Sequence, residues 1–225
     1  MPKWWRTPSP STCPPCKVGF LRNRRAEKNY RHNLFTDPSP LQTDEGLLNG
    51  QGRPGLAELR FGVVSVERSG CEALAVYNAL RLLGRALSPA EVIRRAELEG
   101  CLALDGMAGI LPRGLEKLMR SLELPFRRCE PETVQQQSER GGLPPGSLFI
   151  ACIWNDRRSP VAGIHTFLLR YAAPGRWLVY NRSNLSAAPH EYPSLLDVPK
   201  LRVRGRKGKT KELQGAFLRL YAIEK

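Results

Sequence analysis

No run of eighteen apolar residues occurs in the 225-residue chain, so no transmembrane helix is expected. The opening Met1-Pro2-Lys3-Trp4-Trp5-Arg6 leads into Pro and Ser without the apolar stretch of a secretory signal, and a cytoplasmic location is the expectation. Cysteine is scattered, with six at positions 13, 16, 71, 101, 129 and 152. That spacing makes no disulfide framework, and a chain of this length can bury its own core. Cys13-Pro14-Pro15-Cys16 is a lone CxxC pair. A zinc ribbon needs a second pair, and a redox motif needs a strand before it and a helix after it rather than prolines. No metal and no cofactor is expected. Histidine is scarcer still, with three in the chain, so any imidazole chemistry has few candidates.

Acidic residues are few as well: 21 against 35 Lys and Arg, a formal charge of +14. The imbalance sits at the ends. Residues 1–62 hold 10 basic and 5 acidic side chains, 63–162 hold 13 and 12, and 163–225 hold 12 and 4. The middle reads as an ordinary balanced domain. Basic ends suit an anionic partner, whether nucleic acid, membrane surface or acidic protein, and also suit plain solubility.

What is present divides at about residue 56. Residues 1–56 carry eight prolines among polar residues and hold no helical or strand period, so an irregular or disordered extension is expected there. The domain is expected over 57–225. Phe61 to Val66 reads as a strand-like segment ended by Gly70. Cys71 to about Leu83 is free of Pro and Gly and apolar nearly all round, which predicts a buried helix at the centre of the domain. Gly84 fits its C-terminal cap. Ser88-Pro89-Ala90-Glu91 is a capping-box pattern opening a second helix to Leu98. A third helix is expected from Pro112 to Leu122 and a short polar one over 131–139. The pattern then turns to strands: Ser147–Trp154, Gly163–Tyr171 and Arg176–Asn181 as an antiparallel meander, with Leu201–Arg204 and Ala216–Ile223 after it. Helices first and strands after predict an α+β fold.

Within that layout Cys71 stands in the first turn of the central helix. Unpaired N–H groups and the helix dipole there favour an anion, the setting that lowers a thiol pKa and makes a nucleophile. A small buried hydrophobe is the alternative. A thiol nucleophile needs a base. His32 lies in the extension and His190 follows a proline in a loop, whereas His165 sits in a strand between apolar neighbours. Asn181, sixteen residues on at the end of the next strand, is placed by the short turn at 173–175 close enough for its amide oxygen to accept the imidazole N–H. Asn184 is a competitor for that place.

Gly-Cys opening a central helix, then His and Asn on adjacent antiparallel strands, resembles the papain-like cysteine peptidase superfamily. It is most similar to the small bacterial peptidases related to the double-glycine leader peptidases of bacteriocin export. The resemblance rests on Phe61-Gly62, on Gly70 to Leu80, on Gly163-Ile164-His165-Thr166-Phe167 and on Trp177 to Asn181. It implies a papain-like fold, with Cys71 as nucleophile, His165 as general base and acid, and Asn181 as the orienting group. The superfamily's oxyanion Gln, about six residues before the nucleophile, is replaced by Ser65. Loss of such a donor costs on the order of a hundredfold in rate. Glu72, beside the thiol, opposes thiolate formation unless the helix aims it away. The expected activity is hydrolysis of a peptide or isopeptide bond, or acyl transfer to an amine. The alternative is an inactive papain-like scaffold that binds an anionic partner through the basic stretch Lys200–Lys211.

Overall fold

The computed structural model describes residues 17–36, 38, 42–43, 45–159, 162–204 and 210–224. In chain order these form α1 (Lys17–Phe35), the two-residue strands β1 (Arg60–Phe61) and β2 (Val64–Ser65), α2 (Val66–Ser69), α3 (Cys71–Leu82), α4 (Pro89–Leu98), α5 (Pro112–Ser121), β3 (Phe126–Cys129) and α6 (Pro131–Glu139). The sheet-forming half follows: β4 (Leu148–Trp154), β5 (Ile164–Ala173), β6 (Arg176–Tyr180), β7 (His190–Tyr192), β8 (Lys200–Arg204), β9 (Thr210–Gln214) and β10 (Ala216–Ile223).

α3 is the helix on which the rest packs. Every residue from Cys71 to Leu80 is buried, as a sequence apolar on all faces requires. Its end is a Schellman turn. Gly84 takes φ 74°, its N–H bonds the Arg81 carbonyl at 3.0 Å and the Arg85 N–H bonds the Leu80 carbonyl at 2.9 Å. The capping box of α4 is formed as the sequence predicts: the Glu91 N–H donates to Ser88 Oγ at 3.2 Å and the Ser88 N–H to Glu91 Oε2 at 2.6 Å.

A six-stranded antiparallel sheet, ordered β3-β10-β4-β5-β6-β7, spans the other half. The meander β4-β5-β6 is as expected, and β10 returns to pair on the far side of β4. Both faces are covered. Ile150, Cys152, Leu168, Tyr180 and Tyr221 face the core that contains α3, α4 and α5. Their alternates Ala151, Ile153, Phe167, Val179 and Leu220 face a second core closed by Val134 of α6 and by Leu195 and Val198. Burial on both faces explains why β4 reads as an unbroken apolar run. The fold is α+β, a helical half with Cys71 on its central helix and a C-terminal antiparallel sheet, as the papain-like resemblance implied.

Two expectations are corrected. Phe61–Val66 is not one strand: Gly62 at φ 63° turns the chain between β1 and β2, and Val66 already begins α2. The extension is not irregular over its described part. α1 packs on α4, Asn29 donates to Glu97 at 2.7 Å, and Leu47, Leu48 and Leu56 are fully buried in the main core. Pro38 and Pro54 fall between these docked segments, where they obstruct no helix. Cys13 and Cys16 lie outside the described residues.

Candidate functional site

α2 and α3 meet at Gly70, and only glycine fits there, because a Cβ would lie 2.8 Å from the Val66 Cα. This junction sets Cys71 at the first position of α3, 5% exposed. Its sulfur faces the Thr166 backbone N–H of β5 and the Glu72 carboxyl. The thiol is not activated as its helix position predicts. Burial pushes its pKa well above the ordinary value, the Glu72 charge pushes it further, and the Thr166 N–H offsets part of this. A helix terminus supplies roughly 1 kcal/mol, less than burial and a neighbouring carboxylate together.

Glu72 is therefore aimed at the thiol rather than away from it. It is 3% exposed, and Oε2 meets no hydrogen-bond partner among the described residues. Burial lifts its pKa to about 7, against the opposing pull of its own N–H, the Ile110 N–H and the thiol. Gly109 makes room for it. With φ 65° and Oε1 at 3.0 Å from where a Cβ would sit, that position excludes a side chain.

His165 is the second residue of β5 and is 9% exposed. Its Nε2 lies 2.6 Å from the Asn181 backbone carbonyl. A carbonyl can only accept, so Nε2 carries the proton and Nδ1 holds a free lone pair. Burial first, then the Arg182 charge, lower the imidazole pKa to about 4, while the Asn181 carbonyl pulls the other way. The ring is neutral at physiological pH.

Asn181 does meet His165, but through its main chain. The residue takes φ 62° after β6, a left-handed conformation that asparagine tolerates, and this turns its carbonyl toward the ring. The side chain is spent elsewhere: Oδ1 accepts from the Gln51 N–H at 3.0 Å and Nδ2 donates to Gln51 Oε1 at 2.9 Å. Asn49 Oδ1 accepts the Asn181 N–H. The expected amide-to-imidazole bond is thus replaced by a carbonyl-to-imidazole bond from the same residue. Ser65, at the place of the usual oxyanion donor, precedes α2 and makes no side-chain cap bond.

Sulfur and imidazole meet β5 at adjoining residues, the sulfur at the Thr166 N–H and the imidazole at His165 itself. Thr166 turns toward the helical face, its hydroxyl 3.4 Å from Cys152 Sγ. His165 turns the other way with Phe167, whose ring lies 5.7 Å from its own. Among the described residues no hydrogen bond joins Cys71 to His165. The side chains of 165 and 166 alternate across the strand. The imidazole instead lines a cavity of about 460 Å³ with Arg182, Ser183 and Asn184. Asn49, Gln51 and Arg182 carried no sequence signal beyond being polar. Of the basic stretch Lys200–Lys211, Lys200 is described and pairs with Asp197 at 2.8 Å, while the side chains from 202 to 211 lie outside the described residues.

No protein-family model matches the chain, and no curated protein is similar to it. Among solved structures it is similar to the peptidase domain of Streptococcus ComA, a bifunctional ABC transporter involved in a quorum-sensing pathway. The two are 10% identical with a TM-score of 0.41, over 59% of this chain and 84% of that one. A superposition that loose assigns no role to any residue.

Proposed function

We propose that this protein is a papain-like, cysteine-dependent hydrolase or acyl transferase acting on peptide or isopeptide bonds, with Cys71, His165 and Asn181 as its working groups. The observation that carries the reading is the Nε2–H bond from His165 to the Asn181 carbonyl. It fixes the tautomer and leaves Nδ1 as a base, one residue along the strand from the Thr166 N–H that faces the sulfur. Nδ1 takes the thiol proton and the thiolate adds to the carbonyl carbon. The imidazolium returns the proton to the departing amine as the C–N bond breaks. Water, deprotonated by the same nitrogen, then cleaves the thioester and restores the thiol. For this Nδ1 of His165 must come within hydrogen-bond reach of the Cys71 sulfur.

A peptidyl vinyl sulfone tests the reading, because its addition needs both a thiolate and a proton donor. Cys71 is expected to be the labelled residue by peptide mapping, with labelling slowed about a hundredfold or more in His165→Ala, the usual scale of general-base catalysis. Equal labelling of Cys71 and Cys129, or no change in His165→Ala, rejects it.

One observation favours the second reading, an inactive scaffold that binds an anionic partner. The thiol is held protonated and, among the described residues, no hydrogen bond joins it to the ring, while residues 163–225 carry 12 basic against 4 acidic side chains. Salt-dependent retention on heparin, without vinyl sulfone labelling, supports that reading instead.

A further inference from the structure

The cavity that His165 lines holds a cation that no carboxylate among the described residues pairs with. Arg182 is 2% exposed. Its Nε donates to the Val198 carbonyl and its Nη2 to the Pro199 carbonyl, each at 3.0 Å. The guanidinium carbon lies 5.4 Å over the Phe167 ring. Among the described residues no carboxylate pairs with it. Asp156, the acidic residue on the cavity wall, is engaged by Arg158, whose Nε lies 2.9 Å from Oδ1. A buried cation is costly unless an anion offsets it. Two main-chain carbonyls and the Tyr192 hydroxyl hold this one in place, and none of the three carries a formal negative charge to cancel it. The imidazole records that charge, since Arg182 helps to hold the His165 pKa down.

The cavity volume, about 460 Å³, is in the range of small-ligand sites. The lining is polar at Ser183 and Asn184 and apolar at Leu201 of β8 and Leu213 of β9. A planar guanidinium next to an apolar wall suits a carboxylate that carries an aliphatic group. We infer that this cavity is a carboxylate-binding subsite for a peptide, with Arg182 receiving the carboxylate and Leu201 and Leu213 receiving an adjoining aliphatic side chain. The inference goes beyond the proposed thiol chemistry and does not depend on it, because its test reads binding.

The test titrates the full chain with three probes, followed by calorimetry and by the His165 ring resonances. The probes are acetyl-Ala-Leu with a free C-terminal carboxylate, the same dipeptide as its amide, and acetyl-Glu-Leu-amide. At least one acid is expected to bind ten times or more tighter than the neutral amide, and to raise the titration midpoint of the His165 ring. Tighter binding of the C-terminal acid assigns the site to chain ends, and tighter binding of the glutamate probe assigns it to acidic side chains. Arg182→Met is expected to abolish the preference. Because Arg182 also ties down Val198 and Pro199, Asn184→Asp serves as the second variant: it adds a negative charge on the cavity wall, leaves those carbonyl bonds intact, and is expected to weaken acid binding at least threefold without changing the melting temperature. Equal binding of acid and amide, or acid binding unaffected by Asn184→Asp, overturns the inference.

Discussion

At the scale of single residues, two buried groups with displaced pKa values oppose each other. Glu72 is raised from 4.5 to about 7. The folded state therefore favours its protonated form, and its contribution is complete below pH 4.5 and lost as pH rises to 7. His165 is lowered from 6.5 to about 4. The folded state favours its neutral form, and its contribution is complete above pH 6.5 and lost as pH falls to 4. Each spans about 3 kcal/mol at 1.36 kcal/mol per pKa unit, with opposite slopes across the shared window. Wild-type stability is expected to vary little between pH 5 and 6.5 on their account. Glu72→Gln should unmask a fall on acidification and His165→Asn a fall on alkalinisation, both read from urea midpoints against pH. Glu72→Gln also removes the charge that raises the Cys71 thiol. Iodoacetamide should then alkylate Cys71 about tenfold faster at pH 8, whereas a slower rate would make Glu72 the thiol's base.

At the scale of elements, local signals and local structure agree where the interaction is short-range. Ser88 and Glu91 close their capping box within one turn. Ser88→Ala is expected to cost about 1 kcal/mol in urea unfolding and to leave the site chemistry unchanged. Gly70 is different in kind. It is demanded by the approach of α2 to α3, so Gly70→Ala must push the first turn of α3 away from Val66. Loss of several kcal/mol, together with displacement of Cys71, is the expected result. An alanine variant with unchanged stability and alkylation rate would show that the junction is loose. α1 and the β1–β2 turn were not legible in sequence because neither has a strong period of its own. α1 is held by partners such as Glu97, which accepts from Asn29 of α1 at 2.7 Å and from the Gly62 N–H at 2.6 Å.

At the scale of the whole molecule, the segment before residue 57 is part of the domain. Asn78, buried in α3, accepts from the Leu48 N–H and donates to the Leu48 carbonyl, both at 2.8 Å. Gln51 holds Asn181 from the opposite end of the chain. A chain beginning at residue 57 would leave these buried amides unpaired, at about 1–3 kcal/mol each, and expose the apolar surface under Leu47, Leu48 and Leu56. It is expected to lose cooperative unfolding by circular dichroism, and a sharp transition in that chain would restore the boundary at 57.

By itself the sequence determined the α+β order, the buried central helix with Cys71 at its start, the capping of α4, the β4-β5-β6 meander and the pairing of His165 with Asn181. All of these follow from periodicity, turn chemistry and short connections. Tertiary structure alone decided that the Asn181 carbonyl meets the ring, that Glu72 turns onto the thiol, and that Arg182 is buried with no carboxylate paired to it among the described residues. Those outcomes depend on which distant groups share a face or a buried pocket. In low dielectric such neighbours move a pKa by several units, and no local pattern in the chain encodes them.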